Sequence, residues 1–311
     1  MLRPFQTSDA SQLDSLLDAE PDPLFRAQGH RLHGADRDGD RWRRSLIAER
    51  DGRLVGVVSA ARNPVHPGRY SCAVEVSTAA RRQHLGRMLL AEIQTLLPER
   101  LPLSGKVRPG DRAALELLAA VGGGIYQTCP GLRPDPASAQ IQAWCAAQPL
   151  PDGVTLVPLS TLDTSVQLSC WIEFYLWNHA SWSPADPVEL GQLGVELLDG
   201  LLPALSVCAM RDGRPAAISW VFEETPSSVT VVAETVRATE PAGAKLVAAT
   251  LASCLTNLHG AGLDGADIHR AGNTTVDLDG HITDPHLMPV LHTMPATATD
   301  PLLLVEIPPA H

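Results

Sequence analysis

The sequence predicts an α+β protein of two successive domains, each with a mixed, mainly antiparallel sheet flanked by helices. Three observations carry this expectation. Strand-like and helix-like apolar periodicities alternate along the chain, and Asp-Gly pairs separate short apolar runs as hairpin turns. One such turn, Arg50-Asp51-Gly52-Arg53, recurs as Arg211-Asp212-Gly213-Arg214 between runs of the same kind, as a duplicated domain requires. A chain of 311 residues is long for one domain and comfortable for two.

Taken in order, Leu2 to Phe5 reads as a strand, and Thr7-Ser8-Asp9 supplies N-cap chemistry for a helix through Leu13, Leu16 and Leu17. The polar stretch from Pro21 to Arg44 predicts an irregular or partly helical segment. Ser45 to Glu49 and Leu54 to Ala60 form an antiparallel pair around the Asp-Gly turn, and Tyr70 to Val76 is the next strand. Leu85, Met88, Leu89, Ile93, Leu96 and Leu97 then mark an amphipathic helix. Leu103 to Val107 is a strand, and a helix from Asp111 to Val121 stops at Gly122-Gly123-Gly124. The segment from Gln148 to Gly153 reads as a linker, which sets the domains at 1–147 and 152–311. The second copy has strands at Leu205 to Met210, Ala216 to Phe222 and Val229 to Thr235, and a helix starting near Gly243.

The composition is 44% apolar and 19% charged, within the globular range, and with only 4% aromatic residues the cores must be built from Leu, Val and Ala. A net charge of -11 argues against a nucleic-acid or anionic-membrane partner and suits a cationic or neutral small molecule. The six cysteines are scattered without a Cys-x-x-Cys pair, which implies reduced, partly buried thiols. With no apolar signal region and no run of 18 apolar residues, the expected compartment is the cytoplasm. The late histidines His269, His281, His286 and His292 lack metal-ligand spacing, so no metal is expected. Asn273 and Asp284 read as turn and N-cap residues. The sequence leaves monomer and homodimer both open.

Arg81, Arg82 and Gly86 lie where a strand turns into a helix, so guanidinium groups and the free N-H groups of a helix start face one small volume. That arrangement suits a phosphate. Val76 followed by Arg81-Arg82-Gln83-His84-Leu85-Gly86 resembles the acyl-CoA loop of the GNAT N-acetyltransferases, Arg-x-x-Gly-x-Gly, with His84 in place of the first glycine. The order β-α-β-β-β-α-β-α is also that of the family.

The resemblance implies a tandem GNAT-like protein that transfers an acyl group, most simply acetyl from acetyl-CoA, to the amine of a small molecule. It implies Val76, Arg81, Arg82, Gln83, His84, Leu85, Gly86 and Arg87 as cofactor-binding residues, with the Val76 amide polarising the thioester. Two rival readings are a non-catalytic ligand-binding or assembly module and an enzyme acting on a protein or peptide amine.

Acyl transfer needs a base for the amine, and Glu75 is the best-placed acid, unless it is a strand residue facing solvent. The resemblance places the usual family tyrosine at Leu118, so Tyr126 is either a substitute acid or a packing residue, with solvent as the alternative proton source. His84 either donates to a phosphate or is an exposed turn residue. The aromatic run from Trp171 to Trp182 offers Glu173, Trp177, His179 and Trp182 as substrate-binding candidates, or else forms an inter-copy interface or a core helix. In the second copy Thr239-Glu240-Pro241 replaces the arginines, adds a carboxylate and removes an amide donor, which predicts one CoA per chain, bound in the first copy.

Overall fold

The computed structural model describes residues 1–225, 227–261 and 275–310; His269 and Asn273 lie outside them. The chain opens with β1 (Leu2–Pro4), α1 (Ala10–Leu17), α2 (Pro23–Leu32), β2 (Arg43–Arg50), β3 (Arg53–Arg62), β4 (Tyr70–Val76), α3 (Leu85–Thr95), β5 (Leu103–Val107), α4 (Arg112–Ala120) and β6 (Gly124–Cys129). Next come β7 (Leu132–Arg133), α5 (Ala139–Ala146), β8 (Val154–Pro158), α6 (Thr164–His179), α7 (Pro187–Leu198), β9 (Val207–Arg211), β10 (Arg214–Thr225) and β11 (Ser228–Thr235). The chain ends with α8 (Gly243–Ala261), β12 (Thr275–Asp279), α9 (Leu287–Leu291), β13 (Thr297–Ala298) and β14 (Leu302–Ile307).

Two compact units result, one of residues 1–126 with 303–311 and one of residues 127–302. Each holds a seven-stranded, mostly antiparallel sheet, in the orders β1-β2-β3-β4-β5-β14-β6 and β13-β7-β12-β11-β10-β9-β8. The division departs from the expected boundary at 148–153. The last strand of the chain, β14, pairs antiparallel with β5 in the first sheet, while β7 and α5 belong to the second unit. The cause is burial and ladder pairing: Leu303 and Val305 pack with Val107 and Leu118, and Ile141 and Trp144 of α5 pack in the core of the second unit.

Both copies of the Arg-Asp-Gly-Arg turn fold alike. Asp51 and Gly52 have φ of 51° and 72°, and Asp212 and Gly213 have φ of 50° and 73°. Two successive positive φ values match the twist of the flanking strands, and Asp-Gly adopts them at low cost. In the polar segment after α1, the Asp22 carboxylate accepts from Leu24 N at 2.9 Å and Pro23 occupies the first turn, which starts α2.

The first sheet is covered on both faces. Leu89, Leu90 and Ile93 of α3 bury against Leu46, Val58 and Leu103, and Leu13 and Leu17 of α1 bury against Ile47 and Val57. In the second unit Leu246, Val247, Leu251 and Leu255 of α8 pack on Ala217, Val221 and Val231. No described helix is long and apolar enough to cross a membrane.

Candidate active site

The site begins where β4 and β5 part. They pair in parallel only at Tyr70 with Leu103 and Ser71 with Ser104. Ser77 N donates to Val55 O at 2.9 Å, so by the two-residue alternation of a strand the amides of Val74 and Val76 point away from β3, into the gap. The side chains alternate too. Val74 and Val76 pack toward α3, and Glu75 faces the other side, which α2 covers.

Two connected cavities run through this gap, and both are lined by Glu20, Val74, Glu75, Asp111, Ala114 and Leu117. The larger, about 400 Å³, opens on the turn before α3 and is lined by Val76, Arg81, Arg82, His84, Leu85, Gly86 and Arg87. The smaller, about 140 Å³, reaches Phe25 and Gln28 of α2 on one side and Leu90, Leu103, Leu118 and Val305 on the other. Together they form a passage with a basic mouth and an apolar, carboxylate-bearing interior.

The turn is held in an unusual shape. Arg82 and His84 have φ of 64° and 62°, a left-handed conformation that costs a non-glycine residue on the order of 1 kcal/mol or more. The Met88 amide donates to His84 O at 3.1 Å, so the amides of Leu85, Gly86 and Arg87 precede that bond and are open to a ligand. Gly86 lies close to α4: a Cβ there would sit 3.0 Å from a Leu117 methyl, so a side chain at this position would press on Leu117. Arg81 donates to Val76 O at 3.1 Å, and Arg82 pairs with Glu116 of α4. Gln83 does not line the cleft. It braces the turn instead, donating to Ala79 O at 3.1 Å and accepting from Arg50 at 2.9 Å.

Glu75 is the group whose chemistry is most altered. Burial pushes its carboxyl up to about 7, Glu20 and Asp111 add to the rise, and Arg81 opposes it. A base poised near neutral pH is what proton transfer from an amine requires.

Other expected residues are not gathered here. The Tyr126 hydroxyl meets Ser104 Oγ at 3.0 Å, and its ring lies under the Arg69 guanidinium at 4.2 Å. It lines neither cavity, so the expected substitute acid is held in packing. Leu118, where the resemblance expects the family tyrosine, lines the smaller cavity. Glu173 is exposed, Trp177 donates to Val236 O at 3.0 Å, and His179 stacks on Tyr175 at 3.7 Å and lies against Trp182 at 4.5 Å. Trp171, Phe174 and Trp220 pack together in a core cluster of the second unit. Glu20, Phe25, Gln28, Asp111, Glu116 and Leu117 were not singled out as site residues by the sequence. Only Asp111 left a signal, as the cap of a helix that follows a strand.

The equivalent place in the second unit is closed. β11 and β12 stay paired over five positions, from Ser228 with Thr275 to Val232 with Asp279. Glu234 faces Ile218 as Glu75 faces Val57, both partners lying four residues beyond the second arginine of the repeated turn. Glu234 is buried and accepts from Thr235 N at 2.7 Å, His286 Nδ1 at 2.8 Å and Leu287 N at 3.2 Å. The His286 ring packs on the start of α8, where a Cβ on Gly243 would fall 2.4 Å from it. Glu240 is bound by Arg211 at 2.6 Å and Arg237 at 3.1 Å, so the turn's acidic group is neutralised internally.

Among the described residues no group of histidine, cysteine and carboxylate side chains could hold a metal. All six cysteines are free, and five are buried.

Residues 10–122 match the acetyltransferase (GNAT) family. No curated protein matches the chain in sequence. Among solved structures the chain is similar to a GCN5-related N-acetyltransferase from Sphaerobacter thermophilus, at 15% identity and a TM-score of 0.64, over 100% of this chain and 96% of that one. It is similar to a tandem GNAT protein from the clavulanic acid biosynthesis pathway, at 16% identity and a TM-score of 0.62, over 100% and 99%. A GNAT-family acetyltransferase from Colwellia psychrerythraea shares 10% identity and a TM-score of 0.52 over 100% of both chains. Residues 10–122 therefore match the GNAT family, and the chain as a whole has the fold of a tandem GNAT protein.

Proposed function

We propose that the protein is an acyl-CoA-dependent N-acyltransferase, with acetyl-CoA the simplest donor, that acts on the amine of a small molecule from its first unit. The observation that carries this reading is Glu75, a carboxyl raised to about 7 in the gap between β4 and β5, continuous with a basic turn at the start of α3.

The residues fit an acyl-CoA substrate. Arg81, Arg87 and the amides of Leu85, Gly86 and Arg87 suit a diphosphate, and the Val74 and Val76 amides suit the extended amide-bearing arm and its thioester carbonyl. Glu75 takes a proton from the ammonium of the acceptor, freeing a lone pair for attack on the thioester carbon. A C-N bond forms and the C-S bond breaks; the acylated nitrogen gives up its remaining extra proton to solvent, and the thiolate takes one proton from solvent, because Leu118 offers none. The closed counterpart in the second unit supports one CoA per chain. The six free thiols suit the cytoplasm.

The test is thiol release from acetyl-CoA across a panel of small amines and peptides. Amine-dependent release that falls about 100-fold or more in Glu75→Gln with acetyl-CoA binding retained is the expected result. Leu118 at the acid position favours one rival, a ligand-binding or assembly module. Acetyl-CoA binding without turnover of any amine would decide for that rival.

A further inference from the structure

The repeated Arg-Asp-Gly-Arg quartet does more than turn a hairpin. An Asp-Gly pair alone supplies the two positive φ values of such a turn, so the arginine before each pair, Arg50 in one copy and Arg211 in the other, has no part in that geometry. Each of these arginines reaches out of its hairpin to the turn that starts α3 or α8. Arg50 Nη1 donates to Gln83 Oε1 at 2.9 Å, and Arg211 Nη1 donates to Pro241 O at 2.9 Å and to Glu240 Oε1 at 2.6 Å.

The two contacts fall at the same place. His84 and Ala242 have φ of 62° and 55° and directly precede α3 and α8. Each accepts the bond that closes the first helical turn, His84 O from Met88 N at 3.1 Å and Ala242 O from Leu246 N at 3.1 Å. Gln83 and Pro241 are the residues immediately before them. Both arginines therefore hold the residue that leads into the left-handed one. The acceptor differs, a side-chain oxygen in one copy and a carbonyl in the other, while the arginine and the point it holds are the same.

In the first unit this point bears on a ligand. Gln83 lies between Arg82 and His84, both left-handed, and its side chain is fixed at both ends, because Nε2 donates to Ala79 O at 3.1 Å. A non-glycine residue stays in the left-handed region only where its surroundings hold it there. The open amides of Leu85, Gly86 and Arg87 follow directly, so the dihedrals at 82–84 set where they point. Arg50 and Gln83 line neither cavity, which places them outside the space that a ligand fills.

We infer that Arg50 is a positioning residue for the diphosphate of acyl-CoA: through Gln83 it fixes the turn in the shape that presents these amides, and it does not touch the diphosphate itself. This deepens the acyl-CoA reading of the cleft and rests on it.

The experiment is a double-mutant cycle on acetyl-CoA binding, read by calorimetry, with Arg50→Met, Gln83→Leu and the two together, and with Arg50→Lys beside them. Both side chains are exposed, so the variants keep the fold, which a thermal melt checks. Each single substitution should weaken acetyl-CoA binding about fivefold, and the double variant should lose no more than about twofold beyond either, because one path carries both effects. Arg50→Lys should recover most of the affinity, and only while Gln83 is present. In the thiol-release assay the loss should appear in the KM for acetyl-CoA, with kcat within about twofold of wild type. Unchanged affinity in either single variant, or losses that multiply in the double variant, overturns the inference; multiplied losses would make Arg50 a charge acting on the phosphates directly. If no amine is acylated, the transfer reading fails by itself, and the binding cycle still decides the role of Arg50.

Discussion

Glu75 and Glu234 hold the same register position in their two sheets, but Glu75 lines an open passage while Glu234 is closed over by His286 and the amides of Thr235 and Leu287. The duplication has kept the fold twice and the open passage once. What separates the copies is the ladder beside the glutamate, which opens after two paired positions in the first sheet and stays closed for five in the second.

The pH dependence of turnover should follow Glu75. As a base it works when ionised, so kcat/KM should rise with pH to a half-maximum at about 7, and this limb should vanish in Glu75→Gln. The same shift bears on stability. The folded carboxyl binds its proton more tightly than the unfolded one, so its contribution is full below about 4.5 and is lost as pH rises through about 7. Wild type should therefore lose stability relative to Glu75→Gln across that window, as denaturant titrations at several pH values will show. A pH profile unchanged by the substitution would remove Glu75 from catalysis.

His84→Gly should stabilise the protein by on the order of 1 kcal/mol, because His84 sits at a φ of 62° that glycine adopts freely. Acetyl-CoA affinity should hold or improve. A thermal melt and one titration check both, and a tenfold weaker affinity would show that the imidazole itself contacts the phosphates.

Glu116→Gln should free Arg82 from its ion pair on α4 and tighten acetyl-CoA binding. The pair is exposed, so its loss should cost less than about 1 kcal/mol in a denaturant titration. Weaker binding would mean that Glu116 positions the turn rather than competing with the phosphates.

Tyr126→Phe should lower turnover by less than about tenfold, since its hydroxyl meets Ser104 Oγ and lines neither cavity. Steady-state rates decide this, and a loss of about 100-fold with acetyl-CoA binding intact would restore the tyrosine as the acid.

Much of the fold was legible because its signals are local. The two Asp-Gly turns, the strand from Tyr70 to Val76 and the apolar stripe of α3 depend on residues within a few positions of one another. The unit boundary was not legible. β14 completes the first sheet from the far end of the chain and the two-residue β7 joins the second, and no local pattern encodes such pairings. The site divides the same way. Arg81, Gly86 and Glu75 announce themselves by spacing, whereas Glu20, Gln28 and Asp111 come from three separate loops and helices and meet only in the folded wall of the cavity. The aromatic run of α6 left core and pocket both open in the sequence, because a cluster of tryptophans suits either.

The central claim, that the first unit alone carries the acyl-CoA, is tested most directly by calorimetric titration of acetyl-CoA into wild type and Arg81→Glu. The account predicts one site per chain, weakened by on the order of 2 kcal/mol or more in the variant, where a charge-assisted contact becomes repulsion. Two equivalent sites would contradict it, and so would a single site that survives Arg81→Glu but disappears when Glu240 or His286 is replaced.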